Sequence, residues 1–570
     1  MTIHHRRIPV LPDRPVTYPM ARQISRSYPV GRQSFSRACK GKNMTLTITT
    51  EEPLPAEIQA NIITAMNSNE DCEWEKFPFD RADERTLLCQ IKPKHPGLHS
   101  FRAEFSLDNG TTWFRDTVPD AWVLVDPPQV DGLRLYTIIP NVSGSVADWK
   151  TDLNRIRDMG FNAVHLLPLT TLDTSESPYA ARDLFDIDQS YLEKDSSLTG
   201  LSQLEEFIEE AKSLNIRLVF DLVLNHVGVN SSMSRKVPDW IVPDPKQKDG
   251  FQRARYWDGQ SWHFWDDLIL INYEHPSDAI RDEIWSYMIE YALFWAKYAN
   301  DTGGFVRFDN LHSSNPDFIQ ELTTKLHTKY PNVGILAEYF ADETVLLHSG
   351  PKWGLNLNLA TPWDYKFVPQ LRNYLNYIHR VSKHIRYFMP VTSHDSGTPA
   401  QEFGSVYSTI PRYVAAALLG TGATGIIQGV EFGQNERINF IGRKPKMAFP
   451  AEPMFAAFVT RVNSILANYP AFRHGENCVF VDGGHHAVIA AFRENTGKQV
   501  FGFLVVCNFD ISSSHHISID LTSILGIEEP IPYCELLSER SAIFTNPRWE
   551  LSLEPCSAQV LMLSRYNGLE

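Results

Sequence analysis

The sequence predicts an α/β fold, a (β/α)8 barrel flanked by N-terminal and C-terminal β-sandwich domains. Four apolar segments each end in a polar cluster, and helix-like periodicity separates them along the chain. The segments read RLVFDLVLNH at 217–226, GFVRFDNLH at 304–312, VGILAEYF at 333–340 and MPVTSHD at 389–395. Parallel barrel strands end at one common rim, where the active sites of this fold lie. We therefore expect the four polar clusters to meet at that rim.

The other barrel elements follow the same order along the chain. Further strands are expected at 133–139, 162–167, 355–360 and 425–432, and helices at 146–159, 201–214, 277–299 and 316–327. The first of these helices has Trp149, Leu153 and Ile156 on one face, as a helix that packs on a barrel needs. A loop insertion at 227–276 is long enough to suggest a functional role.

Composition and charge divide the chain into four expected parts. These are a disordered basic tail (1–43), an N-terminal β-sandwich (44–128), the catalytic barrel (129–474) and a C-terminal β-sandwich (475–570). The tail carries nine Lys and Arg against one acid and has no apolar signal core. It fits a disordered tail, a transit peptide, or a start codon placed before the true start at Met44. In the N-terminal domain, Trp74, Trp113 and Trp122 fit either a carbohydrate-binding platform or the core.

The net charge of −15 argues against nucleic acid and anionic membranes as partners, and it suits a neutral substrate. No apolar run approaches the roughly 20 residues that span a bilayer. The seven cysteines are widely spaced and odd in number, which indicates a reducing, cytoplasmic location. The sequence does not indicate an oligomeric state.

Three acids fall at the predicted rim: Asp309, Glu338 and Asp395. A retaining glycosidase uses two carboxyls about 5–5.5 Å apart, a nucleophile and an acid/base. Arg307 shares a strand face with Asp309, so it is expected to keep Asp309 ionised for attack. Glu338 ends an apolar strand, where it is expected to stay protonated and donate. Asp395 and His394 would hold sugar hydroxyls.

Two other interpretations use the same residues differently. Structural ion pairs could cap the strands, although four ordered clusters at the same strand end favour a shared site. A metal hydrolase barrel would need an HxH pair after the first strand, where the sequence reads LRLYTII at 133–139. HExxH and phosphate-binding glycine motifs are also missing from the sequence.

The four segments together resemble glycoside hydrolase family thirteen, the α-amylase superfamily. DLVLNH, GFVRFDNLH, ILAEYF and TSHD match its four ordered signatures, and the likeness covers roughly 133–433. The resemblance implies that Asp309 is the nucleophile, Glu338 the acid/base and Asp395 the stabiliser of the transition state. It also implies a substrate-binding set: Arg307, His226, His312, His394, Tyr179 and Asp221. It implies no cofactor, and Asn225 alone matches the calcium site of amylases.

Within this superfamily the chain is most similar to the glucanotransferase half of glycogen debranching enzyme, through LRLYTIIPNVSGSVADW, WHFWDDLILINY and VRFDNLHSSNP. That likeness implies a 4-α-glucanotransferase acting on α-1,4-linked glucan or maltooligosaccharide. The alternative is an α-amylase-type hydrolase, and a remote one is an inactive glucan-binding protein. Leu311 stands where many amylases have Lys, which favours an apolar acceptor side. Trp262 and Trp265 fit a sugar platform, or a loop packed on its own aromatic residues.

Overall fold

A computed structural model describes residues 24–26, 35–50, 53–67, 74–115, 121–257, 260–475, 477–495, 500–526, 530–546 and 548–564. A closed barrel of eight parallel strands lies at the centre of the chain, with β-sheets before and after it. The fold class expected from the sequence is confirmed.

The N-terminal domain consists of two facing sheets. Its strands are β1 (Ile24–Arg26), β2 (Phe35–Cys39), β3 (Met44–Thr50), β4 (Gln59–Thr64), β5 (Glu75–Pro78), β6 (Asp80–Arg81), β7 (Thr86–Ile91), β8 (Gly97–Ser106), β9 (Trp113–Arg115) and β10 (Ala121–Asp126). One sheet has the order β1-β3-β7-β6 and the other β2-β10-β8-β4-β5, with β9 beside β8. Alternating apolar residues, among them Ile48, Ile62 and Phe101, form the core of this domain.

The expected disordered tail is wrong for residues 35–43. Strand β2 runs parallel to β10, with Cys39 opposite Asp126. The Arg37 guanidinium donates to both carboxylate oxygens of Asp126, at 3.1 and 2.6 Å, and to the Asn356 carbonyl at 2.7 Å. A basic residue that suggested a tail therefore neutralises a buried aspartate. Residues 1–23 and 27–34, which the same expectation covers, lie outside the described residues.

The barrel strands appear in the expected order. They are β11 (Leu133–Ile138), β12 (Ala163–Leu166), β15 (Arg217–Val223), β19 (Phe305–Asp309), β20 (Gly334–Ala337), β21 (Leu357–Leu359), β22 (Tyr387–Pro390) and β23 (Ala423–Ile427). Gly304 precedes β19 because a Cβ there would lie 1.9 Å from the Leu218 carbonyl oxygen of the neighbouring strand. Two strands end earlier than expected, so Glu338 and Asp395 lie in the loops that follow β20 and β22.

Helices cover the outside of the barrel. The helices are α1 (Val146–Asp158), α2 (Gly200–Ser213), α3 (Ser232–Lys236), α4 (Asp278–Asp301), α5 (Pro316–Lys329), α6 (Glu343–Lys352), α7 (Val368–Val381), α8 (Pro399–Phe403), α9 (Thr409–Leu418), α10 (Ala456–Asn468) and α11 (Leu521–Leu525). Ser145 and Asp148 form a capping box at the start of α1. Trp149, Leu153 and Ile156 are buried against the barrel, as their spacing predicts.

Two small sheets lie above the rim. The strands are β13 (Thr170–Leu172), β14 (Ala181–Ile187), β16 (His226–Gly228), β17 (Arg253–Trp257) and β18 (Trp262–Leu270). Strands β13 and β14 pair with each other, while the loop insertion folds into a sheet of order β16-β18-β17. These sheets place Tyr179 and His226 beside the barrel mouth.

The C-terminal domain also contains two sheets. Its strands are β24 (Cys478–Val481), β25 (Val488–Glu494), β26 (Val500–Asn508), β27 (His515–Asp520), β28 (Ile531–Glu535), β29 (Arg540–Phe544), β30 (Arg548–Leu553) and β31 (Ser557–Ser564). The larger sheet has the order β24-β25-β26-β31-β28-β29, and β27 pairs with β30. Leu504, Ile517 and Leu561 are among the residues of their shared core. The opposite face of the larger sheet joins the barrel core through Phe503 and Val505.

Candidate active site

One arginine connects three carboxyl groups at the rim. Arg307 donates from Nη1 to both oxygens of Asp221 at 2.7 Å and to Asp309 Oδ1 at 3.1 Å. Its Nη2 donates to Glu338 Oε2 at 2.9 Å. The register of β15 and β19 explains this hub, because it places Asp221 directly beside Arg307 and Val223 beside Asp309. Three polar clusters that are distant in sequence therefore meet on one guanidinium.

Asp221 is the buried anchor of this hub. His165 Nε2 lies 3.1 Å from Asp221 Oδ2, and the Tyr179 hydroxyl donates to the same oxygen at 3.0 Å. The Asp221 side chain has no exposed surface. Burial opposes its ionisation, yet the Arg307 charge and the His165 hydrogen bond lower the pKa of Asp221 below its ordinary value. Its oxygens hold Arg307, His165 and Tyr179, and the substrate contact expected of Asp221 stays a prediction.

Arg307 is nearly buried at the centre of the hub. Its side chain is only 4% exposed, and its hydrogen bonds go to the three carboxyl groups. The guanidinium therefore orients the acids, and the substrate contact expected of it stays a prediction.

Asp309 and Glu338 converge at the top of the hub. Asn310 follows Asp309 in a left-handed conformation (φ +43°), and its backbone N–H donates to Glu338 Oε2 at 3.0 Å. A non-glycine residue in this conformation is strained, which is common where geometry serves function. The turn and Arg307 together fix the Glu338 carboxyl next to Asp309.

The electrostatics of Asp309 differ from the sequence expectation. Burial, and then the nearby Glu338 charge, raise the pKa of Asp309 well above its ordinary value. Arg307 opposes this shift, but it divides its hydrogen bonds among three acids and does not overcome it. We expected Arg307 to lower the pKa of Asp309, but Arg307 does not decide that pKa alone. The protonation of Asp309 is also coupled to the charge of Glu338.

Asp395 faces the cleft from the loop after β22. His394 Nε2 lies 3.1 Å from Asp395 Oδ2, and Arg437 Nη2 lies 3.8 Å from Asp395 Oδ1. The Asp395 side chain is 53% exposed, in contrast to the buried Asp221. Of the acids in this cluster, Asp395 is therefore the most open to a ligand.

Aromatic rings fix the position of His394. The Tyr179 ring stacks parallel to it, with centroids 5.6 Å apart, and the Phe440 ring meets it edge-on at 5.5 Å. The Tyr179 hydroxyl also lies 2.6 Å from His394 Nε2. Arg437 donates from Nε to the His394 carbonyl at 2.8 Å. His394 is thereby held between the Asp221 network and the open Asp395.

The rim histidines are neutral at neutral pH. Burial, and then the Arg307 charge, lower the pKa of His394 to about 3, and burial lowers the pKa of His226 to about 4. An ionised Asp395 only accepts hydrogen bonds, so the single proton of His394 lies on Nε2. The Tyr179 hydroxyl oxygen then accepts a hydrogen bond from this N–H, and the hydroxyl donates its own hydrogen bond to Asp221 Oδ2. The histidines at the rim are therefore neutral, and Arg307 is the cation among them.

The two other histidines predicted from the sequence lie at different depths. His226 is buried, and its Nε2 lies 3.1 Å from the Tyr179 carbonyl oxygen, so it supports the loop that carries Tyr179. His312 is exposed, and its ring lies 5.5 Å from the ring of Phe340. Phe340 is 42% exposed and follows Glu338 by two residues. His312 and Phe340 thus form an open aromatic pair beside Glu338.

The two tryptophans of the loop insertion lie on the β16-β18-β17 sheet. Trp262 is 49% exposed, and the Arg255 guanidinium lies 4.4 Å from its ring centroid. Trp265 packs on Tyr256, with centroids 4.8 Å apart, and on a small cluster that contains Ala180. Because Ala180 follows Tyr179, Trp265 lies next to the loop that forms the mouth of the site. Sugar binding by either tryptophan stays a prediction.

Asn225 is the candidate calcium ligand of the sequence, and that role stays a prediction. Its side-chain oxygen is buried and has no hydrogen-bond partner. However, the described part of the chain contains no group of three or more His, Cys, Asp or Glu side chains that could hold a metal ion. Calcium prefers six to eight oxygen ligands, with carboxylates among them. We therefore assign no calcium-dependent step to this site.

A cleft of about 460 Å³ opens at the hub. Arg307, His394, Asp395 and His165 reach it, and Leu336, Phe388 and Ile426 form apolar walls. Apolar walls with a few convergent polar groups are typical of small-molecule sites.

Sequence reasoning missed two contributors to the site, His165 and Arg437. His165 is a buried polar residue in a barrel strand, and its Nδ1 lies 3.2 Å from the Thr137 hydroxyl. The rule that identified the other strands would have identified it too, since VHLLP at 164–168 is a polar interruption of an apolar strand. Arg437 lies in an irregular segment after β23, and no local pattern in that segment indicates that it reaches Asp395.

The comparisons with known proteins agree with this geometry. Residues 127–241 match the family model described as "Glycogen debranching enzyme, glucanotransferase domain". The chain is therefore similar to members of the α-amylase superfamily, glycoside hydrolase family thirteen.

Two curated relatives show how far the similarity extends. An alpha-1,4-glucan:maltose-1-phosphate maltosyltransferase of Picrophilus torridus is 21% identical over 71% of this chain and 66% of its own length. The glycogen debranching enzyme of Saccharomyces cerevisiae is 28% identical over 26% of this chain and 9% of its own length. The chain thus spans less than two thirds of the length of these relatives.

Solved structures share the fold of this chain. A cyclomaltodextrinase structure superposes with a TM-score of 0.60 at 16% identity and covers 95% of this chain and 100% of its own. Among the described residues, no helix combines the length and apolarity needed to cross a bilayer.

Proposed function

We propose that this protein is a retaining enzyme that acts on α-1,4-linked glucan, and that it is a 4-α-glucanotransferase of glycogen or maltooligosaccharide metabolism. One observation carries the proposal: a single guanidinium holds Asp309 and Glu338 together at the carboxyl ends of neighbouring strands. Two adjacent carboxyls supply the nucleophile and the acid/base that retention requires.

The reaction proceeds in two displacements. Asp309 attacks the anomeric carbon while Glu338 gives its proton to the glycosidic oxygen, and the shortened glucan leaves. The ester on Asp309 is then attacked by the hydroxyl of a second glucan, whose proton returns to Glu338. The second step restores both carboxyls to their starting states and gives a product of unchanged anomeric configuration.

The reaction starts with Glu338 protonated and Asp309 ionised. The Glu338 charge is the main electrostatic cause that raises the pKa of Asp309, after burial. A proton on Glu338 removes that repulsion, so Asp309 is then ionised against Arg307. Transfer of the proton to the leaving oxygen coincides with loss of the negative charge on Asp309 as its ester forms. The pair of carboxyls therefore never carries two uncompensated charges during the first step.

The acceptor side supports transfer over hydrolysis. Leu311 is buried, and the adjacent pair of His312 and Phe340 presents aromatic surface beside Glu338. Aromatic rings stack on sugar rings and exclude water, so the glycosyl group meets a sugar hydroxyl more often than a water molecule. The transferase names of the family model and of the Picrophilus torridus relative support the same choice. An α-amylase-type hydrolase remains the alternative, and an inactive glucan-binding protein the remote one.

Incubation with maltotriose separates these functions. A transferase gives glucose together with maltotetraose and longer oligomers, whereas a hydrolase gives only glucose and maltose. The D309N variant serves as the control and should give neither set of products. Shorter sugars alone would contradict transfer, and turnover that D309N leaves unchanged would contradict the catalytic assignment.

The maltosyltransferase similarity over 71% of the chain raises a second donor, maltose 1-phosphate. Incubation of maltose 1-phosphate with glycogen would then release inorganic phosphate and lengthen the glycogen chains. Phosphate release at the rate of maltotriose turnover, or faster, would replace the glucan donor in this proposal with the phosphate ester. No phosphate release, together with maltotriose disproportionation, would support the glucan donor.

A further inference from the structure

Far from the rim, Arg493 is buried without a charge partner. It lies on β25, where it faces Cys478 of β24 and Phe503 of β26 across the sheet. The whole residue has no exposed surface, and among the described residues its three guanidinium nitrogens meet no oxygen or nitrogen partner, only the Cys478 thiol. Burial raises the pKa of the Cys478 thiol, so this neighbour stays neutral and supplies no negative charge. A buried and unpaired arginine is rare because removing a charge from water is costly unless an opposite charge replaces the lost hydration.

The surroundings of Arg493 are aromatic and lie between two domains. Its guanidinium carbon lies 5.9 Å from the centroid of the Phe472 ring, which belongs to the barrel side. Phe503 packs against Phe472 with centroids 4.8 Å apart. The Phe472 ring face gives the guanidinium a weak cation–π contact, which does not replace a full negative charge.

His379, a nearby histidine, has more hydrogen-bond acceptors beside its ring than it can satisfy when neutral. His379 Nδ1 lies 2.8 Å from the Gly475 carbonyl oxygen, and its Nε2 lies 2.7 Å from the Leu419 carbonyl oxygen. A neutral imidazole has one N–H, so it can donate to only one of these oxygens. Burial, and then the Arg493 charge, lower the pKa of His379 to about 4. An anion next to Arg493 would remove part of that opposition and allow both contacts to become hydrogen bonds.

Two buried carboxylates at the base of the barrel, Asp126 and Asp131, are already neutralised by other cations. Asp131 is paired with Arg386 and Lys42, and Asp126 with Arg37. Arg412 provides a useful contrast, because it is also buried and stacks on the Phe403 ring at 3.8 Å. Its guanidinium donates to two backbone carbonyls, at 3.0 and 3.2 Å, whereas the guanidinium of Arg493 has no such partners.

We propose that Arg493 binds a small inorganic anion, chloride under ordinary conditions, between the barrel and the larger C-terminal sheet. A halide fits the site better than a polyatomic anion, because the lining is mainly aromatic and offers few donors besides the guanidinium. The bound anion would join the barrel to the C-terminal sheet, so this site contributes to stability and takes no part in the reaction at the rim.

Thermal unfolding in two salts tests the proposal. The full-length protein is unfolded in sodium chloride and in sodium gluconate at equal ionic strength, because gluconate is a much bulkier anion than chloride. We expect the Tm to be higher in chloride by about 2 °C, since a ligand that binds only the folded state stabilises it. The R493M variant should lose this difference, and the matched control R412M should keep it although its Tm is lower in both salts. A chloride effect that persists in R493M, or no effect in the wild type, would overturn the proposal.

Two further measurements show which negative charge pairs with Arg493. Glu476 lies close in sequence but outside the described residues, so E476Q tests whether this chain supplies its own counter-ion. The chloride effect should be unchanged in E476Q; a larger effect there would show that Glu476, not an added anion, pairs with Arg493 in the wild type. Crystals soaked in sodium bromide should give an anomalous peak within hydrogen-bond distance of the Arg493 guanidinium. Bromide peaks only at exposed residues would contradict the site, even if R493M did not fold.

Discussion

The two ends of the barrel both bury charge, but in opposite proportions. At the amino-terminal base, Arg37, Arg386 and Lys42 surround only two acids, Asp126 and Asp131. At the carboxyl-terminal rim, Arg307 alone contacts three acids: Asp221, Asp309 and Glu338. Burial is similar at the two ends, so burial does not distinguish them. The ratio of acids to cations does, because an excess of buried carboxyls is costly and indicates a site kept for chemistry.

The pKa shifts follow the same division. At the base, Arg386 and Lys42 lower the pKa of Asp131 below its ordinary value in spite of its burial. At the rim, burial and the Glu338 charge raise the pKa of Asp309. The base therefore uses charge to hold the N-terminal domain on the barrel, while the rim keeps one carboxyl ready to exchange a proton.

The largest expected effect comes from D309N. Loss of the nucleophile should lower kcat about 10⁴-fold, in line with the removal of other single members of a catalytic set. The free energy of unfolding at pH 7 should not fall, because the substitution removes a buried carboxylate whose ionisation is unfavourable. Maltotriose turnover and urea unfolding measure the two effects. The matched D131N variant at the base should show the reverse, with full activity and lower stability.

The next largest effect distinguishes Arg307 at the rim from Arg386 at the base. R307M leaves three buried carboxyls without their cation, so we expect a loss of about 3–5 kcal/mol in the free energy of unfolding and severe loss of activity. R386M leaves Arg37 on Asp126 and Lys42 on Asp131, so about 1–2 kcal/mol should be lost and activity kept. Equal losses of stability in the two variants would remove the distinction between the ends of the barrel.

A smaller effect is expected for His165, which touches Asp221 and not the acids that react. H165A removes a donor to Asp221 and frees the Thr137 hydroxyl, so Arg307 loses part of its orientation. We expect kcat to fall about 10–100-fold with little change in KM. H165N, which keeps a donor, should recover part of kcat. A change in KM alone would instead place His165 against the substrate.

The smallest effect is a pH dependence that differs in sign between the two ends. The pKa of Asp131 is lowered on folding, so its contribution to stability is present above about pH 4 and is lost on acidification. The pKa of Asp309 is raised on folding, so its ionisation costs stability as the pH rises above about 4. Compared with the wild type, D131N should therefore lose stability and D309N gain it over the same rise in pH. Urea unfolding from pH 3.5 to 7 measures both differences, and a common sign would contradict the assignment.

Local sequence patterns predicted the fold and the three acids because both depend on short segments. An apolar run that ends in a carboxyl identifies a barrel strand and a rim residue together, as at 304–312 and 333–340. The ion-pair partners of the charged residues could not be predicted from such short segments. Arg307 meets Asp221 because of strand register across 86 residues of intervening chain. Arg37 was assigned to a tail because its partner, Asp126, lies 89 residues away.

The central claim is that Asp309 and Glu338 act on one glycosidic bond as nucleophile and acid/base. An E338Q variant treated with an α-maltosyl fluoride tests it most directly, because fluoride leaves without a proton and the missing base slows release of the ester. Peptide mass spectrometry should then find the maltosyl group on Asp309. A label on Asp395, or no covalent label during steady fluoride release, would contradict the account.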